Sequence, residues 1–411
     1  MSVLKRRLES SWHAVRRRFG ADPVTAHRLV VEKARWLNDA NSPVMLSIDD
    51  LTNAWHAKNG GGRWEHGGDW GGGFWDSGSA LRFLEDRLFR TFPEIKATFF
   101  TVAGPISAYT HHQPFSHSDS LDATEESRRF FRSIAEDPRF ELAYHGFNHG
   151  TAGARTEDFV QEWRGFSSVE AAVAQTRHGL DIFSRATGTI PQGGKYGGWE
   201  YNEFAEEAVD RCGFVWWCRD WTPRDIRGRV SDAYYEPQMF GSNLIVALPT
   251  TLHGRFWDRR QVELLLARRQ LIAIEEHIAP IRPDGLVQTP NIVDDLADVK
   301  RLLSYLRGKK IWYATGSEIA DYVIARDRTV VHDVTLGGFS LRYEGRAPRP
   351  PLTLRIDCSA ICSEPEPLID LVLPDGAIVD HAACQFDTNS YRHLVTIPVS
   401  TGQYAVRPRS P

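Results

Sequence analysis

One short stretch constrains the fold more than any other. The apolar run Val44-Met45-Leu46-Ser47-Ile48 stops abruptly at two adjacent carboxylates, Asp49 and Asp50. A run of strand formers with no charge in it reads as a strand buried on both faces, the kind found inside parallel sheets and barrels. Ending such a strand in paired acids delivers them to the mouth of the sheet, where α/β enzymes keep their chemistry. Two like charges side by side repel, so the pair calls for a cation or a shared proton. A capped strand end leading into a loop is the plainer alternative, and the rest of the chain decides between them.

Strand and helix then alternate. Residues 96–104 read as a second strand and 140–144 as a third, with helices expected over 79–92 and 125–136. Further helices are expected over 168–187, 200–212, 293–306 and 317–326, and strands over 214–218, 243–248 and 311–314. This order describes a parallel α/β sheet or barrel. The third strand runs into His145 and His149. Two histidines four residues apart stand on one face of a helical turn and can reach one metal ion together. An aspartate plus two histidines, with positions left open, describes a catalytic divalent-metal site and not a closed structural one.

Composition removes other classes. With 411 residues, 42% of them hydrophobic, and a net charge of -4, the chain suits one large domain plus a small one and gives no support for nucleic-acid binding. No apolar run is long enough to span a bilayer, and the N-terminus has no signal-peptide core, so a cytoplasmic address is expected. The 5 cysteines include no C-x2-C pair, which argues against a zinc knuckle or a disulfide framework. Residues 1–20 read as a basic amphipathic helix with Leu4, Leu8, Trp12, Val15 and Phe19 on one face. Docking of that stripe on the main domain is favoured over peripheral contact with an anionic membrane. A second helix is expected over 24–38. Trp55, Trp64, Trp70 and Trp75 crowd the Gly-rich loop after the acid pair, where exposed rings suit stacking on sugar faces. Beyond residue 328 short alternating strands predict a small β-sandwich over 329–411.

The motifs also carry a family resemblance. Ser47-Ile48-Asp49-Asp50 resembles the Thr-Phe-Asp-Asp motif of the polysaccharide deacetylase (NodB-homology) family. Lys96-Ala97-Thr98-Phe99-Phe100 is similar to that family's second strand, and His145-x-x-x-His149 to its metal-binding pair. The order of motifs agrees from Val44 to Tyr322. The resemblance implies a distorted (β/α)7 barrel over 41–328, between an N-terminal helical segment (1–40) and the sandwich. Asp50, His145 and His149 would hold one divalent metal, zinc being the first candidate, and Asp49 would be the general base. Lys195 stands where the family has an Arg that braces the base. The glycines around it, Gly198 included, would leave backbone N–H groups open to substrate, or simply form a turn. Arg219-Asp220-Trp221 resembles the end of the family's Asp-x-x-Asp-Trp motif, which with Trp55 suggests substrate contacts.

Two departures stand out. The first Asp of that motif falls at Trp217, and the late Leu-x-x-His falls at Leu286-Val287-Gln288-Thr289, with no histidine. His253 is then the candidate proton donor, with His66 and His277 weaker ones. The function expected is a metal-dependent hydrolase removing an N-acetyl group from a sugar unit of a glycan or glycan precursor. An inactive carbohydrate-binding protein, or an amidohydrolase acting on a small amide or cyclic imide, are the alternatives.

Overall fold

The computed structural model describes residues 29–54, 75, 78–111, 118–219, 235–242, 244–253, 258–278, 286–345, 350–361, 368–380, 384–388 and 392–409. The chain divides into two compact units, Met1–Asp39 with Ile324–Pro411, and Ala40–Val323. No described helix is long and apolar enough to cross a membrane.

The larger unit is mixed α/β with a parallel central sheet. Its strands are β1 (Ser42–Leu51), β2 (Ala97–Thr101), β3 (Phe140–Tyr144), β4 (Gly193–Lys195), β5 (Trp216–Arg219), β6 (Gln238–Phe240), β7 (Ile245–Pro249), β8 (Leu252–His253), β9 (Ile272–His277) and β10 (Ile311–Tyr313). They lie in the order β6-β7-β5-β4-β3-β2-β1-β9-β8, with β10 pairing the start of β1. Every pairing is parallel except β6 with β7. The helices α1 (Ala80–Leu84), α2 (Glu125–Glu136), α3 (Val169–Thr187), α4 (Ala205–Arg211), α5 (Arg259–Ala267) and α6 (Ile292–Leu306) fall between strands, as parallel crossovers require. Several begin with side-chain caps, such as Thr124 with Ser127 at α2 and Ser168 at α3.

The two-residue period of the strands sorts their side chains. Val44, Leu46 and Ile48 of β1, Phe99 of β2, Leu142 and Tyr144 of β3, and Ile272 and Ile274 of β9 join one core with apolar residues of the helices. Alternation sends the intervening residues to the other face of the sheet. Low on that face, the half-buried Glu141 accepts hydrogen bonds from Thr98 Oγ1 (3.3 Å) and the Ser317 N–H (3.1 Å). High on it come Asp49, His145, Lys195, Glu275 and His277. Gly193 and Gly194 form strand β4, not the turn weighed above. A Cβ on Gly193 would meet the Trp216 ring at 2.0 Å and one on Gly194 the Tyr144 carbonyl at 2.4 Å, so only glycine lets β4 fit.

The smaller unit contains two four-stranded antiparallel sheets. One joins Val30–Lys33, Pro351–Asp357, Arg392–Pro398 and Cys384–Asp387; the other joins Thr329–His332, Gly338–Tyr343, Gly402–Pro408 and Ile369–Val372. The helix expected over 24–38 is therefore corrected in its described part. Val30 and Val31 are β-branched, and they pair with Asp357 and Ile356 at the far end of the sequence. Residues 1–20 lie outside the described residues.

Candidate metal centre

Asp49 and Asp50 are adjacent, and a regular strand would point them to opposite faces. The register of β1 against β2 shifts between Ile48 and Leu51, and Asp50 takes a left-handed φ of 63°. This bulge re-aims Asp50, so both carboxylates line one cavity of about 370 Å³. Aspartate tolerates that conformation better than most residues.

Beyond β3 the helical turn expected for residues 145–149 is not formed. Gly146 has a φ of 113°, and His149 is left-handed at 67°. The loop is organised by Glu162, whose carboxylate accepts the backbone N–H groups of Phe147 (2.9 Å), Asn148 (2.8 Å) and His149 (2.9 Å). A Cβ on Gly146 would come within 2.6 Å of that carboxylate, which explains the glycine. Glu162 was not visible as a functional residue in the sequence, because its partners are backbone groups with no signature of their own. Glu162→Ala leaves three backbone donors, that of the buried His149 among them, without this acceptor. It should weaken zinc binding by about 10–100-fold, as loss of an outer partner of a metal ligand does; a competition titration with a chromogenic chelator measures this.

The loop brings His145 Nε2 to 3.0 Å and His149 Nε2 to 2.9 Å from Asp50 Oδ1. Among the described residues these three form the one group of histidine, cysteine or carboxylate side chains able to hold a metal, their ligand atoms lying within 4.8 Å of one another. The donor set suits a divalent ion. His145 Nδ1 lies 3.1 Å from the Lys195 carbonyl, which can only accept, so the proton sits on Nδ1 and Nε2 keeps its lone pair for a ligand. His149 Nε2 is buried and faces Asp50 Oδ1 outside hydrogen-bond geometry. Burial opposes charge on Asp50, yet His149 and His145 beside it hold its carboxyl well below the usual range. Burial likewise works against a charged His149, but Asp50 raises its pKa.

Asp49 is buried beside this group and plays a different part. Its Oδ2 accepts from the Lys195 ammonium, while Oδ1 has no partner. Burial raises the Asp49 carboxyl above its ordinary value, with Lys195 pulling it down. Burial also opposes charge on Lys195, but Asp49 and Glu275 raise its pKa, so it remains an ammonium. Lys195 is thus in direct contact with Asp49.

Thr289 lines the cavity, and so does His277, which ends β9 with its Cα in register with Asp49. Its Nδ1 lies 2.8 Å from the Pro290 carbonyl, which leaves Nε2 to face Asp50 Oδ2 at 3.5 Å. The strand that carries His277 neighbours β1, which the segment 286–289 does not. His253, on β8, is in register with Glu275 of β9; its side chain lies outside the described residues. Trp55, Asp220, Trp221 and His66 lie outside them as well. Gly198 does line the cavity, with Tyr109, Gln161, Trp199, Gln288 and Pro290. Trp75 packs edge-on against Phe130 of α2 (centroids 5.6 Å apart), with Arg129 over its ring.

An open Asp-His-His centre at the ends of parallel strands is the class of site this chain presents. No family model and no curated protein matches the sequence. Polysaccharide deacetylases are among the solved structures to which the chain is similar. One described as such from Mycobacterium smegmatis is 14% identical over 72% of this chain and 94% of its own, with a TM-score of 0.42. Another from Pseudomonas aeruginosa PAO1 is 13% identical over 70% and 92%, with a TM-score of 0.43. Puue allantoinase is 13% identical over 74% and 94%, also with a TM-score of 0.43.

Proposed function

We propose that the chain is a metal-dependent hydrolase that removes an N-acetyl group from a sugar unit, on a distorted barrel followed by a β-sandwich. One observation carries this reading: three metal-ligand atoms converge beside a separate, lysine-braced carboxylate in a single cavity. A divalent ion held by Asp50, His145 and His149, zinc being the first candidate, would polarise an acyl carbonyl and ready a water for attack. Asp49 takes the proton of the attacking water through Oδ1, because Oδ2 is already committed to Lys195. His277 returns a proton to the departing amine through Nε2, with Nδ1 anchored on Pro290. Tyr109 and Trp199 offer flat walls to a sugar ring, and Gln161 and Gln288 offer amides to its hydroxyls.

The test is acetate release by the zinc-loaded protein from N-acetylglucosamine oligomers, run beside ring opening of hydantoin. Acetate release supports the deacetylase. Hydantoin opening alone moves the chain to the cyclic-imide class. Sugar binding without either reaction makes it an inactive binding protein. His277→Ala is expected to lower turnover by about 10²-fold with zinc content unchanged. Unchanged turnover removes His277 from the reaction.

A further inference from the structure

Lys195 holds two carboxylates, and only one of them belongs to the reaction described above. The second is Glu275, buried on β9 two residues before His277, whose Oε1 accepts from Lys195 Nζ at 2.6 Å. We propose that Glu275 is a positioning residue for Asp49, acting through Lys195; the proposal rests on reading Asp49 as the base.

The physical need arises from the lysine. An ammonium is a compact charge on a flexible stem, without the planar fork that lets an arginine hold a carboxylate in one orientation. A single contact with Asp49 would leave the stem free to rotate and would bury a charge poorly compensated. A second carboxylate removes that freedom. Glu275 can serve because it is itself fixed: its strand pairs with β1 from Val44 to Asp49, and the same Oε1 accepts the Trp199 indole N–H at 3.1 Å.

Trp199 completes the clamp. Its ring lies over Lys195 Nζ, 3.8 Å from the centroid, as a cation–π lid. The backbone there is left-handed at both Gly198 (φ 57°) and Trp199 (φ 59°). A bulky residue holds that conformation only where its surroundings fix it. Here the turn folds the indole back onto Lys195 and Glu275. The result is an Asp49–Lys195–Glu275–Trp199 chain with one oxygen of Asp49 held and the other left for substrate.

Two substitutions separate positioning from mere packing. Glu275→Gln keeps an Oε1 that can accept from both Lys195 and Trp199, whereas Glu275→Ala removes it. In the zinc-loaded full chain, Glu275→Ala is expected to lower kcat by about 10- to 100-fold with KM and zinc content unchanged. Glu275→Gln should stay within a few-fold of the parent. In an Asp49→Asn background Glu275→Ala should add no further loss, because both act on one group. Equal losses in the two variants, additive losses with Asp49→Asn, or a rise in KM alone would each overturn the assignment. Should the parent hydrolyse neither the N-acetylglucosamine oligomers nor hydantoin, the reading of Asp49 as base fails. Crystal structures of the two variants then decide the clamp by itself. Lys195 leaving Asp49 in Glu275→Ala but not in Glu275→Gln upholds it, and Lys195 unmoved in both refutes it.

Discussion

Replacing His149 with alanine is expected to strip the chain of its metal. One of three protein ligands would be gone, and the remaining Asp50 and His145 form a poor chelate. The loss should exceed the about 10–100-fold that removal of an outer partner costs. The His149 ring has little other reason to be where it is. It is buried, it sits on a left-handed backbone at φ 67°, and its Nε2 points at Asp50 Oδ1, 2.9 Å away. The loop that carries it is held by Glu162 through backbone groups, so the substitution should leave the loop in place. Metal content after exhaustive dialysis, with circular dichroism to confirm the fold, is the measurement. Zinc retained at the parent level would show that Asp50, His145 and His149 are not the centre.

The strand that ends in two acids was legible because a strand buried on both faces leaves a continuous apolar run, which few other elements do. The alternation of strand and helix through the larger unit could be read for the same reason of period. The bulge at Asp50 was not legible: a register shift is a relation between two strands, and nothing within β1 announces it. The histidine pair was visible, but not its geometry. Four-residue spacing suggests a helical turn, whereas Gly146 and the Glu162 carboxylate impose a different loop. Glu275 and His277 escaped notice as a pair because their meaning lies in the register of β9 with β1, across most of the unit's sequence. The same non-local cause turned the expected helix around Val30 into a strand. Patterns within one element can be read; pairings between distant elements must be seen.

Asp49→Asn separates the base from the ligands. The two side chains are nearly the same shape, so the amide oxygen of the asparagine can still face Lys195 Nζ in the place of the present Oδ2. Its NH₂ group would then present donors to the cavity, where Asp49 now presents an unpartnered oxygen. A donor there cannot take a proton from water. Turnover should fall by about 10²–10⁴-fold, the usual cost of removing a general base. Metal content should not change, because Asp49 lies outside the ligand set and Asp50, His145 and His149 keep their contacts. Lys195 would lose one charged partner but keep Glu275, so the ammonium stays paired and the fold should hold. Kinetics and zinc analysis on the same preparation give a decisive outcome. Turnover lost with the metal retained makes Asp49 the base, while loss of both together would place it among the ligands and leave the proton acceptor to another residue of the cavity.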